Sequence, residues 1–372
     1  MKEKERSSNY ELMRIISMIM IVTGHLITHG NMLNNCTNMA IKRILEFIFD
    51  ILVIHVNSFI LLTGYFQSTN KFKQSKLWAL INSSLFYRAG IMLGLFLLFN
   101  VSFDKATIIR KLFILNLDEY WFIKLYIFIY ILSPFLNILI SKLEQKQYNY
   151  LLIIMFTLFS ILPYLTGCKA FDNNGYTLYN FIFLYLIGAY IRKYPIKEWY
   201  IFNKIPDNLY KILLYLSFIF IIIINFSIEQ TTNIMRTYSP VYNEIFGGVY
   251  NMTRAYSNPF VIIQTVIYFS IFSTLNIKSN FINKLSKLTM GVYLIHDNSM
   301  IRYNIYKVFK ITPSIQNSYQ VLLYLIIVTV IIYVVCSIVE YIRQLIFKIV
   351  YNFKISQKIR NKYYGFLEKC KV

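Results

Sequence analysis

Apolar residues occur in long blocks separated by short polar segments. We place about ten blocks of membrane-spanning character at residues 11–30, 44–66, 77–100, 121–141, 149–167, 177–192, 210–228, 260–276, 288–301 and 319–341. Most hold the roughly 17–23 residues that a helix needs to cross about 30 Å of hydrocarbon. The sixth is short, and the ninth contains His296 and Asp297, so these two are the weakest. The pattern predicts an all-α fold, a polytopic integral membrane helix bundle of about ten transmembrane helices.

Composition agrees with a membrane protein. Of the 372 residues, 57% are hydrophobic and 15% are charged, and the mean hydropathy is +0.50. A soluble domain carries about 25% charged residues. A net charge of +21 would suit a nucleic-acid-binding protein, but the basic residues lie in the segments between apolar blocks. We therefore interpret the charge as a topology signal and predict no nucleic acid partner.

The distribution of Lys and Arg predicts the orientation. With the N-terminus in the cytoplasm, cytoplasmic segments hold about twice as many Lys and Arg as outer segments, as the positive-inside rule requires. We expect a multi-pass protein of the plasma (inner) membrane with both termini cytoplasmic. Residues 1–343 would form the transmembrane domain and residues 344–372 a basic cytoplasmic tail. The segment 229–259 is predicted to be a long irregular outer loop, acting as a binding lid or as a cover for helix ends.

The first block carries polar groups on one helix face. Arg14 and His25 are eleven residues apart, which on an α-helix is about 20° past three full turns and about 16 Å along the axis. His29 lies one turn further along the same face. Two interpretations stay open. Arg14 could bind the phosphates of an acyl-coenzyme A (acyl-CoA) while His25 takes a proton from a sugar hydroxyl, or Arg14 could snorkel and His25 could pack.

Three further stretches accompany the Arg14–His25 pair. They are Asn57-Ser-Phe-Ile-Leu-Leu-Thr-Gly64-Tyr65-Phe66, then Trp121-Phe122-Ile-Lys-Leu-Tyr126 followed by Leu132-Ser133-Pro134-Phe135-Leu136-Asn137, and Gly291-Val-Tyr293-Leu-Ile-His296-Asp297-Asn298. The first block carries Arg, ten residues and then His. With that pattern, the order of these stretches along the chain resembles that of the acyltransferase-3 family of bacterial membrane O-acyltransferases. The Trp121 stretch resembles the capsule and cell-wall polysaccharide branch. The resemblance runs from Leu12 to about Arg343.

The resemblance implies a membrane O-acetyltransferase. The expected reaction moves an acyl group, with acetyl favoured, from cytoplasmic acetyl-CoA or another acyl-CoA to a hydroxyl of an extracytoplasmic surface polysaccharide or its lipid-linked precursor. His25 would be the general base, and Arg14 would be a catalytic residue at the CoA site. Spans one to four would enclose a cavity reaching through the membrane. Direct transfer and transfer through an acyl-His25 intermediate both stay open. The partners implied are acyl-CoA, the saccharide acceptor and membrane lipid.

One position departs from the family pattern. Many members carry an Arg-x-x-Arg pair at the cytoplasmic start of the third span, where this chain has Lys73-Gln-Ser-Lys76. Lysine binds phosphate as a point charge without the bidentate fork of arginine. Lys73 and Lys76 are therefore expected at the CoA site, with plain topology-setting lysines as the alternative.

Four other residues are candidates for substrate binding. Arg88 lies midway along the third span and needs a polar partner, with Asp50, Asp297 or Glu340 available as counter-charges; it is also one option for the oxyanion partner. His296 and Asp297 could orient the acceptor, and Trp121 could stack on a sugar ring. The alternatives are structural pairing for the polar residues and an interfacial belt for Trp121.

No other chemistry competes well. The four cysteines show no metal-ligand spacing, so no metal is predicted. The alternative function is a transporter or flippase of a lipid-linked saccharide. Such proteins commonly show inverted repeats and broken helices near the midplane, whereas the polar residues here concentrate in the first block and no repeat is evident.

Overall fold

The computed structural model describes residues 6–113, 120–167, 174–309 and 318–352. Every regular element in these ranges is helical. Most of the predicted basic tail, residues 353–372, lies outside the described residues. The part of it that is described continues the last helix, which ends at Asn352.

The chain forms seventeen α-helices within these ranges, with short 3-10 turns at Ile196–Glu198 and Ser286–Leu288 and a π-helical turn at Thr157–Ile161. In chain order the α-helices are α1 (Ser8–His29), α2 (Met32–Asn35), α3 (Met39–Leu52), α4 (His55–Gln67), α5 (Gln74–Phe99), α6 (Lys105–Leu112), α7 (Trp121–Lys142), α8 (Gln145–Phe156), α9 (Leu162–Thr166), α10 (Leu178–Lys193), α11 (Asp207–Tyr238), α12 (Pro240–Met252), α13 (Pro259–Ser273), α14 (Asn280–Leu285), α15 (Thr289–His296), α16 (Arg302–Val308) and α17 (Ser318–Asn352).

The predicted polytopic helix bundle is confirmed. Among the described residues, seven helical stretches are long and apolar enough to cross a membrane: Ser8–His29, Met39–Gln67, Gln74–Phe99, Trp121–Lys142, Gln145–Thr166, Asp207–Tyr238 and Tyr319–Ile349. Each coincides with a predicted span. The other three predicted spans correspond to the shorter helices α10, α13 and α15. Helix α15 ends at His296, with Asp297 as its C-cap. Its eight residues rise only about 12 Å.

The prediction of an irregular loop over 229–259 is wrong. Helix α11 continues to Tyr238, and α12 covers Pro240–Met252. Ion pairs anchor this segment: the buried carboxylates of Glu229 and Asp50 share Arg254, at 2.7 Å and 3.0 Å. A buried charge needs such a partner. The ion pairs tie α11 to α3 and to the turn that follows α12.

Helix α1 lies at the centre of the bundle. It packs against α3, α4, α13, α15 and α17, and its apolar side chains belong to the main core cluster. Long apolar side chains on other helices point away from the core. Leu98, Phe220 and Ile326 are each more than half exposed, as expected of helices that face lipid.

Two glycines allow α4 and α10 to pack backbone to backbone. A Cβ on Gly64 would lie 2.8 Å from the Cα of Tyr185, and a Cβ on Gly188 would lie 2.8 Å from the backbone nitrogen of Tyr65. Small residues permit such close approach between membrane helices. Gly64 in the Thr63-Gly64 pair of the Asn57–Phe66 motif therefore has a packing role in addition to any functional one.

A candidate active site at two cavities along one helix

Helices α1, α4, α7 and α15 enclose a cavity of about 360 Å³, which we name the histidine cavity. Its titratable lining includes His25 and His29 near the end of α1, His55 at the start of α4, and Asp297 and Arg302 after α15. The remaining lining is largely apolar and aromatic. A largely apolar cavity with a few convergent polar groups is the usual form of a small-molecule site.

Hydrogen bonds fix the tautomer of His25. Nδ1 of His296 lies 2.6 Å from the backbone carbonyl of Val292, one turn earlier in α15. Because a carbonyl only accepts, Nδ1 of His296 carries the proton, and Nε2 of the neutral ring is an acceptor. Nδ1 of His25 lies 3.2 Å from that Nε2 and is therefore the donor. The remaining nitrogen of His25, Nε2, keeps a free lone pair, as a general base requires.

Asp297 lies beside the same imidazole. Its Oδ1 is 3.6 Å from Nδ1 of His25 and 3.1 Å from Nη1 of Arg302. A carboxylate at this position would stabilise the imidazolium that forms when His25 takes a proton. The structure thus brings the predicted residues His296 and Asp297 to His25. Asp297 lines the cavity, whereas His296 is fully buried and contacts His25.

Aromatic rings form one wall of the histidine cavity. Trp121, a predicted site residue, lies 4.4 Å from Tyr176 and 5.8 Å from Tyr256 between ring centroids. Asn57 donates from Nδ2 to the backbone carbonyl of Tyr256 at 2.7 Å and so fixes that segment. Sequence reasoning missed Tyr176, Tyr256, His55 and Arg302 as site residues, since only long-range packing brings them to His25.

One grouping among the described residues has the donor types of a metal site. His25, His29 and Asp297 each offer one ligand atom, and these atoms lie within 4.8 Å of one another. Two imidazoles and a carboxylate are ligands that zinc accepts. However, His25 is bonded to His296, and Asp297 is paired with Arg302. The arrangement therefore fits a hydrogen-bonded base better than a set of metal ligands.

A second cavity, of about 370 Å³, lies along the first part of α1, and we name it the arginine cavity. Its lining includes four cationic side chains and one carboxylate: Arg14, Lys76, Lys287, Arg343 and Glu340. Gln67, Asn70 and Gln344 add neutral polar groups. The excess of positive charge suits an anionic ligand such as a phosphate.

The cations of the arginine cavity have different partners. Arg14 pairs with Glu11 at 2.7 Å and lies over the ring of Phe66. Arg343 makes two hydrogen bonds to Glu340, at 2.6 Å and 2.7 Å. Sequence reasoning missed Lys287 and Arg343 as lining residues and counted both among the basic residues of the cytoplasmic side.

The predicted pair Lys73 and Lys76 separates. Lys76 lines the arginine cavity. Lys73 is the residue before α5 begins, and its backbone N–H donates to the hydroxyl of Tyr130, which does line the cavity. The two lysines therefore differ in their access to a ligand there.

Arg88 is not among the residues that line these cavities. It is buried in α5, donates to the backbone carbonyls of Lys111 and Phe113 at 3.3 Å and 2.9 Å, and lies over the ring of Tyr120. The three carboxylates considered as its counter-charges pair with other arginines: Asp50 with Arg254, Asp297 with Arg302, and Glu340 with Arg343.

Comparison with known proteins identifies the family. A family model described as an acyltransferase domain, that of acyltransferase-3, matches residues 8–341. No curated protein and no solved structure matches the chain. The matched range contains every residue that lines the histidine cavity and all that line the arginine cavity except Arg343 and Gln344. Because the match covers most of a chain folded as a multi-pass helix bundle, the chain belongs to the acyltransferase-3 family.

Proposed function

We propose that the protein transfers an acyl group, with acetyl favoured, from cytoplasmic acyl-CoA to a hydroxyl of an extracytoplasmic saccharide. The acceptor would be a surface polysaccharide or its lipid-linked precursor. One observation carries the proposal: the hydrogen-bonded His25 at one cavity and the basic arginine cavity lie along the same helix. Arg14 and His25 are about 16 Å apart along α1, which suits a donor whose phosphates and thioester are joined by a long pantetheine arm.

The arginine cavity would bind the donor. CoA carries a diphosphate and a ribose phosphate, and arginine binds phosphate through paired N–H donors. Arg14 and Arg343 carry such donors and also bond Glu11 and Glu340, while Lys76 and Lys287 add point charges. These contacts lie far from the thioester, so we expect them to contribute mainly to donor affinity.

The histidine cavity would bind the acceptor. The wall of Trp121, Tyr176 and Tyr256 offers flat apolar surface with polar edges, which suits a sugar ring with one face of C–H groups and a rim of hydroxyls. Asp297 and Arg302 lie close enough to His25 to orient a hydroxyl near it.

The chemical step uses His25 as the base. Nε2 of His25 takes the proton of the acceptor hydroxyl while the hydroxyl oxygen attacks the thioester carbonyl. The new C–O ester bond forms and the C–S bond breaks. The proton then passes from His25 to the thiolate, and CoA leaves as the thiol. His296 holds the His25 ring in the required tautomer, and Asp297 offsets the transient positive charge.

Transfer of a labelled acyl group tests the proposal. Membranes containing the protein are supplied with acyl-labelled acetyl-CoA, and label is measured in polysaccharide and lipid-linked saccharide. We expect His25→Ala to abolish detectable label, since a general base contributes about 10²–10⁴-fold to rate.

The His25→Ala protein should reach the membrane at normal levels and retain CoA binding, which controls for misfolding. Near-normal labelling by a well-expressed His25→Gln variant would contradict the base role. Movement of an unacylated lipid-linked saccharide across the membrane, without labelling, would instead favour the flippase.

A further inference from the structure

The two cavities are neighbours, and Met290 lines both of them. On three helices, residues four positions apart line different cavities. In each pair the first residue lines the arginine cavity and the second lines the histidine cavity. The pairs are Arg14 and Met18 on α1, Thr63 and Phe59 on α4, and Tyr126 and Phe122 on α7. Four residues of α-helix rise about 6 Å. The layer between the cavities is therefore about one helical turn thick.

The side chains of this layer on the histidine side are apolar. We call them the partition: Met18, Phe59, Phe122 and Met290. The rings of Phe59 and Phe122 pack against each other at 6.2 Å between centroids. Met290, in α15, lines both cavities. It is partly buried and packs against the main core.

We propose that Met290 is the gate through which the acyl thioester passes from the arginine cavity to His25, and that it selects the length of the acyl chain. This inference rests on the proposed acyl transfer. If the phosphates stay among the cations of the arginine cavity, the thioester must cross the partition to reach His25. Met290 is the partition residue that contacts both sides.

Methionine has the properties that such a gate needs. Its side chain is unbranched, has three rotatable bonds and adapts its shape at low cost. The neighbouring Phe59 and Phe122 are held by ring packing against each other, and Phe122 also packs against Tyr126 at 5.8 Å. Rotation of Met290 alone would therefore open a passage, and the space it vacates would limit the acyl group.

Two substitutions at Met290 test the gate. Initial transfer rates are measured for Met290→Trp and Met290→Ala with acetyl-, butyryl- and hexanoyl-CoA, and CoA binding is measured by titration calorimetry in lipid nanodiscs. Met290→Trp should lower transfer of every acyl group by about 100-fold, the effect of misplacing a reacting group by about 1 Å, with CoA affinity unchanged. Met290→Ala should raise the hexanoyl-to-acetyl rate ratio at least about 10-fold.

Met155 provides the matched control. It is also partly buried and packs against the main core, on α8, but it lines neither cavity. Met155→Trp and Met155→Ala should keep both the transfer rate and the acyl preference of the unsubstituted protein.

The outcomes separate the two proposals. An unsubstituted protein that transfers none of the three acyl groups would overturn the proposed function, and the gate with it. An active protein whose Met290→Ala variant keeps the original chain-length preference would overturn the gate alone. Loss of CoA binding in Met290→Trp would also overturn the gate, because it would assign Met290 to the donor site.

Discussion

The three histidines of the histidine cavity are held by different contacts. His25 is bonded to His296, which in turn donates to the carbonyl of Val292. The ring of His29 lies against Tyr306 at 6.0 Å, and that of His55 lies against Tyr256 at 5.7 Å. The three histidines thus differ in their neighbours: the described partner of His25 is a hydrogen-bond acceptor, and those of His29 and His55 are aromatic rings. The partner that sets the tautomer distinguishes His25 as the proposed base.

Removal of that partner gives the first prediction. His296→Phe keeps an aromatic ring but removes the acceptor for Nδ1 of His25. We expect kcat to fall by about 10²-fold, within the range of a general-base contribution, while the donor KM stays unchanged. Steady-state kinetics over a range of pH would test it, since a change in the tautomer of the base also alters the pH profile of kcat.

His29→Phe is the comparison, because His29 lies one turn beyond His25 and contacts the rings of His25, Tyr303 and Tyr306, whereas His296 is the hydrogen-bond partner of Nδ1 of His25. Its effect on kcat should be clearly smaller. Equal kcat values for His296→Phe and the unsubstituted protein would contradict the positioning role.

The second prediction concerns the two lysines before and within α5. Lys76→Ala should raise the donor KM more than it lowers kcat, because a phosphate contact far from the thioester acts as uniform binding. Lys73→Ala should have the smaller effect on donor KM, since Lys73 meets the cavity region through its backbone bond to Tyr130. Donor titrations of both variants decide the point. A larger effect at Lys73 would reverse the assignment.

Sequence reasoning succeeded at the residue scale where helix periodicity applied. The eleven-residue spacing of Arg14 and His25 predicts a shared face, and α1 carries both residues to cavity linings. It failed where long-range contacts decide. The carboxylates considered as partners of Arg88 pair with other arginines, and Arg88 itself donates to backbone carbonyls more than twenty residues later in the chain. Local spacing cannot predict such a contact.

At the scale of elements, the bundle depends on helices that approach closely around the cavities. Helices α4 and α10 meet at Gly64 and Gly188, and α4 supplies His55 and Phe59 to the histidine cavity. Displacing α4 would therefore alter the cavity wall. Apolar blocks located most helices but not all of their ends: α11 continues to Tyr238, beyond the block that ends at residue 228, and α15 ends at His296, before the block that ends at residue 301.

Glycine substitutions test this packing and give the third prediction. Gly64→Ala places a Cβ against the backbone of Tyr185. We expect a destabilisation of about 1–3 kcal/mol, typical of overpacking. Gly90→Ala is the matched control on α5, since its added Cβ would have no neighbour within 4 Å. Thermal unfolding midpoints in detergent should fall for Gly64→Ala and not for Gly90→Ala. Equal midpoints would show that α4 and α10 can separate freely.

At the scale of the whole molecule, the two cavities lie along one axis and give the protein a direction. The arginine cavity is near the start of α1 and the histidine cavity is near its end. The excess of basic residues predicts that the start of α1 faces the cytoplasm. This orientation would present the cationic cavity to acyl-CoA and His25 to the outside. Periodicity could predict the bundle, and the orientation stays a prediction from charge. Neither pattern indicates which side chains lie between the two cavities.

Labelling of single cysteines gives the fourth prediction. In a background with all four native cysteines replaced by serine, Asn243→Cys on α12 should react with an impermeant thiol reagent added outside intact cells. Lys284→Cys on α14 should react only after the membrane is permeabilised. Both positions are exposed, so access to the reagent depends on the side of the membrane. Labelling of Lys284→Cys in intact cells would overturn the proposed orientation.

The turn-thick partition also bears on the membrane potential. A continuous water-filled path between the two faces would conduct protons and dissipate that potential, which is worth about 2.3 kcal/mol per charge at 100 mV. Met18, Phe59, Phe122 and Met290 are apolar, and in the proposed gate they would keep this level free of water, so that a neutral thioester would cross it at far lower cost than an ion. In the proposed reaction, the acyl group would reach the outer face and leave as an uncharged ester of the acceptor, while the phosphates of CoA stay on the cytoplasmic side. The protein could thus modify the cell surface without acting as a leak.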